Sequence, residues 1–186
     1  MSGTAANSFR MCAATIRRAG PGDEDALTLV GQASFLEAFA GVIGGRDIVA
    51  HCQRQHAREK YAAWLHDPAT EIWLAEVEPG RAPIGYLVLT KPDLPLADLA
   101  ADDLEVKRVY LLHRFQRTGV GARLMQEALE SASRRGARRL LLGVYGGNTG
   151  AIAFYHRLDY QTVGTRRFLV GENTYEDLIL GLNLAR

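Results

Sequence analysis

The sequence predicts a mixed α/β domain with a partly antiparallel central sheet. The first observation is the order of elements given by hydrophobic periodicity: a strand, helices, three strands, a helix, a strand, a helix and two strands. The second is that turn-forming residues separate neighbouring strand segments, as at 79–83, which is typical of hairpins. The third is size, because 186 residues with 47% hydrophobic composition suit a single compact core.

Each element follows from a local pattern. Apolar runs bounded by turn residues predict strands over 15–19, 71–77, 84–90, 104–112, 139–144, 161–170 and 175–184. Apolar residues at helical spacing predict helices over 26–36, 47–64 with an interruption, 120–135 and 148–158. Asp23 stands where it can cap the first helix, and Gly136 stands where it can end the third. The small and polar residues 1–13 are predicted to be a disordered lead-in, which leaves 14–186 as one domain.

Composition excludes several classes of function. The net charge is +1, so no global field favours nucleic acid or a membrane surface as a partner. Cys12 and Cys52 show no CxxC or Cys/His ligand spacing, which argues against a disulfide framework and a structural zinc. No apolar run approaches the roughly 20 residues of a membrane-spanning helix, and residues 1–14 lack the apolar core of a secretion signal. We expect a cytoplasmic protein, monomeric or homodimeric.

A loop with two glycines links the strand at 104–112 to the next helix, and it reads Gln116-Arg117-Thr118-Gly119-Val120-Gly121. The first N–H groups of a helix lack internal acceptors and lie at the positive end of its dipole, and glycine lets an anion approach closely. The loop therefore predicts a phosphate site. An ordinary tight turn has the same local sequence, since the loop lacks GxxxxGK[ST] and Leu124 replaces the third glycine of GxGxxG.

A second segment gives the loop its context. Residues 148–155 read Asn-Thr-Gly-Ala-Ile-Ala-Phe-Tyr, which predicts a helix that begins at the Asn and ends in Phe-Tyr. Together the two segments resemble the GCN5-related N-acetyltransferase (GNAT) superfamily over residues 71–170. The run Glu105-Val106-Lys107-Arg108-Val109-Tyr110 is most similar to the subgroup related to polyamine and small-amine acetyltransferases. One departure is Asp159, where the family often has Gly; Asp tolerates left-handed backbone, so a helix stop there is still expected.

The resemblance implies a sheet with helices on both faces and a splayed groove that holds acetyl-CoA as co-substrate, with no metal. It implies that the backbone of Leu111 and His113 binds the pantetheine arm. It implies that the pyrophosphate lies on the amides of the loop, namely Gln116, Arg117, Thr118, Gly119, Val120 and Gly121. Asn148 is assigned to the same groove, although it can equally be the N-cap of its helix.

Two residues are candidates for proton transfer. Tyr155 lies two helical turns after Asn148 and is expected to protonate the thiolate that leaves; the alternative is a half-buried aromatic of an amphipathic helix. Glu105 is expected to accept the proton of the acceptor ammonium, through water; the alternative is a surface Glu paired with Lys107 or Arg108. The histidines at 51, 56 and 66 lie in a polar helical region and are expected to be solvated.

The predicted function is acetyl-CoA-dependent acetylation of a primary amine, with a small molecule as the acceptor. The alternatives are acetylation of a protein N-terminus or lysine, and a non-catalytic acyl-CoA-binding regulatory domain. The segment 35–64 and the loop 91–102 are expected to select the acceptor. A polyamine site would be acidic, and the candidate acids are Glu37, Asp98, Asp102 and Asp103; the same residues can equally be ordinary surface charges.

Overall fold

The computed structural model describes residues 13–170 and 173–184, and within them the chain forms one sheet and two helical layers. The strands are β1 (Thr15–Arg18), β2 (Glu71–Val77), β3 (Ala82–Thr90), β4 (Asp103–Leu111), β5 (Arg139–Tyr145), β6 (Gln161–Val170) and β7 (Asn173–Asn183). The helices are α1 (Glu24–Phe39), α2 (Gly45–Gln55), α3 (Arg58–His66), α4 (Val120–Arg134) and α5 (Thr149–His156). Residues 1–12 of the predicted lead-in lie outside the described residues.

The sheet is mixed, as predicted. Its strand order is β1-β2-β3-β4-β5-β7-β6, and β4 and β5 are parallel while the other neighbours are antiparallel. None of the helices in the described ranges has both the length and the apolar character that a membrane crossing needs.

The two faces of the sheet carry different helices, because successive side chains of a strand point to opposite faces. We call the face under α4 and α5 the back face; Leu124 and Tyr155 pack there in the main core with Leu87 and Leu142. We call the face under α1, α2 and α3 the front face; Leu27 and other α1 residues pack there on β2 and β3. Helices therefore cover both faces, as the resemblance implied.

Local signals for helix ends are only partly correct. Gly136 adopts a left-handed φ of 67° just after α4, and Asp159 adopts φ 65° after α5, so both predicted stops are confirmed. Asp23 is the N-cap residue of α1 but makes no side-chain cap bond. Its carboxylate instead binds the Arg17 guanidinium and accepts from the Gly20 N–H at 2.9 Å, because that guanidinium offers a charged partner.

Candidate active site

A split between β4 and β5 is the central feature of the site. The two strands pair only from Asp103 with Arg139 to Val106 with Leu142, and then they diverge. The register of β3 against β4 shifts at the same level. Val88 pairs with Arg108, whereas the next residue, Leu89, pairs with Val106. Within the described residues, the backbone of Lys107 to Leu111 therefore has no strand partner on its β5 side, and its polar groups there must find partners other than a strand.

The glycine loop lies at the N-terminus of α4, as predicted. Arg117 and Gly119 have positive φ values of 61° and 86°, and they turn the chain sharply before the helix. Across residues 13–170 and 173–184, no carbonyl accepts a hydrogen bond from the backbone N–H of Arg117, Thr118 or Gly119. Converging N–H groups in such a turn at the positive end of a helix form an anion-binding concavity.

The space beside the Cα of Gly121 is open. A Cβ built there would meet only the Phe154 ring, at 3.8 Å, which is ordinary contact. The fold therefore does not require glycine at position 121. It does favour glycine at position 119, because the φ of Gly119 is left-handed. Close approach of a ligand to the backbone is a physical reason for the absence of a side chain at Gly121.

The two residues predicted to bind pantetheine already have protein partners. The His113 N–H donates to Oε2 of Glu37 at 2.8 Å, and the Leu111 carbonyl accepts from Nε2 of Gln116 at 3.2 Å. The Leu112 N–H bonds to the Ile84 carbonyl of β3. Because groups alternate along a strand, the backbone of Leu111 faces away from β3 and toward the split.

Tyr155 and Asn148 lie on α5, on the back face of the split. Asn148 is the N-cap of α5, where its Oδ1 accepts from the Ala151 N–H at 3.0 Å, so the capping role is confirmed. Tyr155 is 7% exposed and packs against the rings of Phe154 and Tyr160. Burial, followed by the nearby Tyr110, raises the pKa of the Tyr155 phenol, which therefore keeps its proton at neutral pH.

Glu105 is a buried residue of β4 on the front face, so the surface alternative is wrong. Its side chain is 1% exposed, and Oε2 accepts from the Asp93 N–H at 3.1 Å. Lys107 Nζ lies 3.5 Å from Oε1, whereas Arg108 makes no ion pair with it in the described chain. Burial raises the pKa of the Glu105 carboxyl against the opposing charge of Lys107, a direction that suits a base.

The structure also brings together a front cluster that sequence reasoning missed, formed by Phe35, His51, His56, Tyr61, Arg108 and Tyr110. His51 stacks on Phe35 with ring centroids 4.2 Å apart. His56 is 1% exposed, and its Nδ1 lies 2.9 Å from the Tyr61 hydroxyl. The expectation of a solvated side chain is therefore wrong for His56, which is buried; His51 is half-buried, and His66 is exposed as expected.

The acids proposed for a polyamine site have other partners. Asp103 is fully buried and pairs with Arg138 and Arg139, and Asp98 pairs with Arg139. Glu37 holds the His113 N–H. These contacts make Asp98 and Asp103 structural, at the end of the sheet where β4 and β5 are still paired. Within the described residues, no three His, Cys, Asp or Glu side chains converge as a metal site.

Comparisons with known proteins agree with this geometry. Residues 38–160 match the sequence model of the Acetyltransferase (GNAT) family. An uncharacterized N-acetyltransferase of Mycobacterium tuberculosis is 30% identical over 158 residues, which cover 85% of this chain and 96% of the relative. The chain therefore belongs to the GNAT family, and it is an N-acetyltransferase.

Solved structures show the same fold. The PaiA N-acetyltransferase of Thermoplasma acidophilum, in complex with coenzyme A, has a TM-score of 0.75 at 19% identity, over 92% of this chain and 99% of that one. Arabidopsis thaliana NAA60, in complex with a bisubstrate analogue, has a TM-score of 0.71 at 13% identity, over 93% and 100% of the two chains.

Proposed function

We propose that this N-acetyltransferase uses acetyl-CoA and acetylates a primary amine of a small molecule, by direct attack within a ternary complex. The observation that carries the proposal is the position of the α4 N-terminus. The free amides of Arg117, Thr118 and Gly119 lie just after β4, whose backbone is exposed along the split. A pyrophosphate at the loop and an amide-rich arm along the split match these donors. The Thermoplasma neighbour, solved with coenzyme A, supports the same ligand class.

The proposed residues divide the chemistry between the two faces of the sheet. Acetyl-CoA supplies a thioester, whose carbonyl carbon the amine nitrogen attacks; a C–N bond forms and the C–S bond breaks. Glu105 takes the ammonium proton through water before the attack, which its raised pKa favours. Tyr155 donates its phenolic proton to the leaving sulfur. One of the two protons left on the attacking nitrogen then returns to the Tyr155 phenolate as the amide forms, so the products are the amide, the CoA thiol and the one proton taken by Glu105.

Cofactor binding at the predicted backbone groups requires two protein contacts to open. Glu37 must release the His113 N–H, and the Gln116 side chain must release the Leu111 carbonyl. Both side chains are exposed and can reorient toward water.

The test is a panel of small primary amines and of peptides with free N-termini or lysines, each incubated with acetyl-CoA and followed by release of free thiol. We expect turnover with small amines and little with peptides. Turnover confined to peptides would replace the acceptor class. Failure of acetyl-CoA to bind in calorimetry would refute the cofactor assignment.

A further inference from the structure

The front cluster contains a positive charge that no carboxylate of the described chain balances. Arg108 follows the register shift of β4, and its Cζ lies 4.7 Å from the centroid of the Trp64 ring. Its Nη1 donates to the Tyr61 hydroxyl at 3.3 Å. Throughout residues 13–170 and 173–184, no Asp or Glu oxygen lies within ion-pair distance of this guanidinium. The nearby cations differ, because Lys107 pairs with Asp93 and Arg166 pairs with Asp177.

An unbalanced guanidinium among aromatic side chains requires a physical reason. Arginine stays charged at every physiological pH, and buried charges in folded proteins are normally paired. Arg108 is partly buried against aromatic rings, which offer only the weaker cation–π attraction. An anion that binds the exposed part of the guanidinium would complete its partners.

The surroundings of Arg108 disfavour a second cation. Burial, together with the charge of Arg108, lowers the pKa of His51 to about 4 and that of His56 to about 2, so both rings are neutral at pH 7. A polyamine would bring at least two more positive charges to this region. The rings of Phe35, His51 and Tyr110 instead pack beside one another as uncharged groups, with the Phe35 and Tyr110 centroids 6.4 Å apart.

The partner of Arg108 is held rigidly. The Tyr61 hydroxyl donates to the Tyr86 hydroxyl at 2.9 Å and lies 2.9 Å from Nδ1 of His56. A Cβ on Gly31 would lie 2.2 Å from the Tyr61 hydroxyl oxygen, so a glycine inside α1 is needed for this packing. A buried and bonded phenol fixes one edge of the guanidinium, which pre-organises it for a ligand.

Building on the proposed acetyl transfer, we propose that the acceptor is an amino acid: Arg108 binds its carboxylate, and its amine reaches the split between β4 and β5. The guanidinium fork matches the two oxygens of a carboxylate. Arg108 lies on the strand that forms one wall of the split, directly after the last residues paired with β5. The amine and the carboxylate of an amino acid are close together, so both can occupy this region at once.

The experiment compares matched acceptors that differ only in the carboxylate: phenylalanine with phenethylamine, and lysine with cadaverine. Thiol release gives kcat/KM for each with the wild-type protein, and we expect the amino acid to be preferred by roughly tenfold or more, the range of a hydrogen bond to a charged group. Arg108→Met keeps the apolar stem and should raise the KM of the amino acid roughly 10- to 100-fold while leaving that of the plain amine nearly unchanged. Arg108→Lys should fall between the two.

The matched control is Arg134→Met, which removes the same charge from an exposed position in the last turn of α4 and should preserve the preference. A second readout needs no turnover: calorimetry of N-acetylphenylalanine with the CoA-loaded protein should show binding that Arg108→Met abolishes. The preference of the wild-type protein tests the proposal even where Arg108→Met does not fold.

The outcomes separate this proposal from the proposed function. Equal or better acetylation of the plain amines would overturn the role of Arg108 and leave acetyl transfer intact. Carboxylate binding that depends on Arg108, without thiol release from any amine or peptide, would support the Arg108 site and refute the proposed function. Failure of the wild-type protein to bind any of the carboxylates would overturn the proposal.

Discussion

The carboxylate of Glu37, on α1, accepts a 2.8 Å hydrogen bond from the backbone N–H of His113, just after β4. This bond ties the helical layer over the front face to a backbone group that the sequence assigned to the cofactor. A ligand for that N–H must compete with Glu37, so part of its binding free energy is used to displace the carboxylate.

Glu37→Ala should therefore tighten CoA binding. Removal of the competing acceptor should lower the Kd roughly three- to tenfold, the scale of one ordinary hydrogen bond. Calorimetry with CoA measures the change, and Glu59→Ala removes the same charge from an exposed position on α3 as a control. Weaker binding in Glu37→Ala would show that Glu37 supports the cofactor site instead of competing for it.

Gly121→Glu should abolish CoA binding without unfolding the protein. The added side chain meets only the Phe154 ring within the protein and replaces glycine in a helix, so stability should be unchanged or slightly higher. Its bulk and negative charge would oppose a pyrophosphate at the α4 N-terminus. Gly45→Glu makes the same change in the first turn of α2, where nothing lies within 4 Å, and should bind CoA normally. Normal CoA affinity in folded Gly121→Glu would exclude this loop as the phosphate site.

Tyr155→Phe should lower kcat while CoA affinity is nearly retained. A positioned acid typically contributes roughly 10²- to 10⁴-fold, and the raised pKa keeps the phenol protonated until the pH exceeds its ordinary value of 10. Loss of rate through Tyr155 ionisation is therefore expected only at strongly alkaline pH. Steady-state kinetics at saturating acetyl-CoA measure the effect.

Tyr160→Phe is the matched control for Tyr155. Its ring lies 6.0 Å from that of Tyr155, and its buried hydroxyl has no hydrogen-bond partner in the described chain. The same atom is removed from the same core, so turnover should stay near wild type. A rate loss below about threefold in Tyr155→Phe, with chemistry rate-limiting, falls short of general acid catalysis.

The sequence predicted the parts of the site that depend on local backbone. The loop from Gln116 to Gly121 needs glycine at Gly119 for its left-handed φ, and the stop at Asp159 depends on one residue that tolerates φ 65°. Such requirements leave a signal within a few residues of sequence.

The front cluster left no such signal, because its members come from α1, α2, α3 and β4 and meet only in the fold. His56 and Arg108 look like ordinary polar residues of a helix and a strand. The one local trace is Gly31, a glycine inside a helical pattern, which indicates close packing without naming its partner. Asp103 was misread for the same reason, since Arg139 is far away in sequence.

Glu105→Gln should lower the rate at neutral pH and recover part of it as the pH rises, because free amine then forms without a base. The Asp93 N–H can still bond to the amide oxygen, so the shape of the site is kept. In the wild-type protein the base works only when it is ionised, so activity should fall as the pH drops through the raised pKa of Glu105. A carboxyl whose pKa is raised on folding stabilises the folded state below its unfolded pKa, and this stabilisation is lost as the pH rises through the folded pKa. Ionised Glu105 therefore lowers the free energy of unfolding at neutral pH. Glu105→Gln should therefore melt at or above the wild-type temperature. The pH–rate profile at saturating acetyl-CoA and several acceptor concentrations is the measurement. A raised KM with unchanged kcat would make Glu105 an acceptor-binding residue, and a profile parallel to wild type would leave solvent to take the proton.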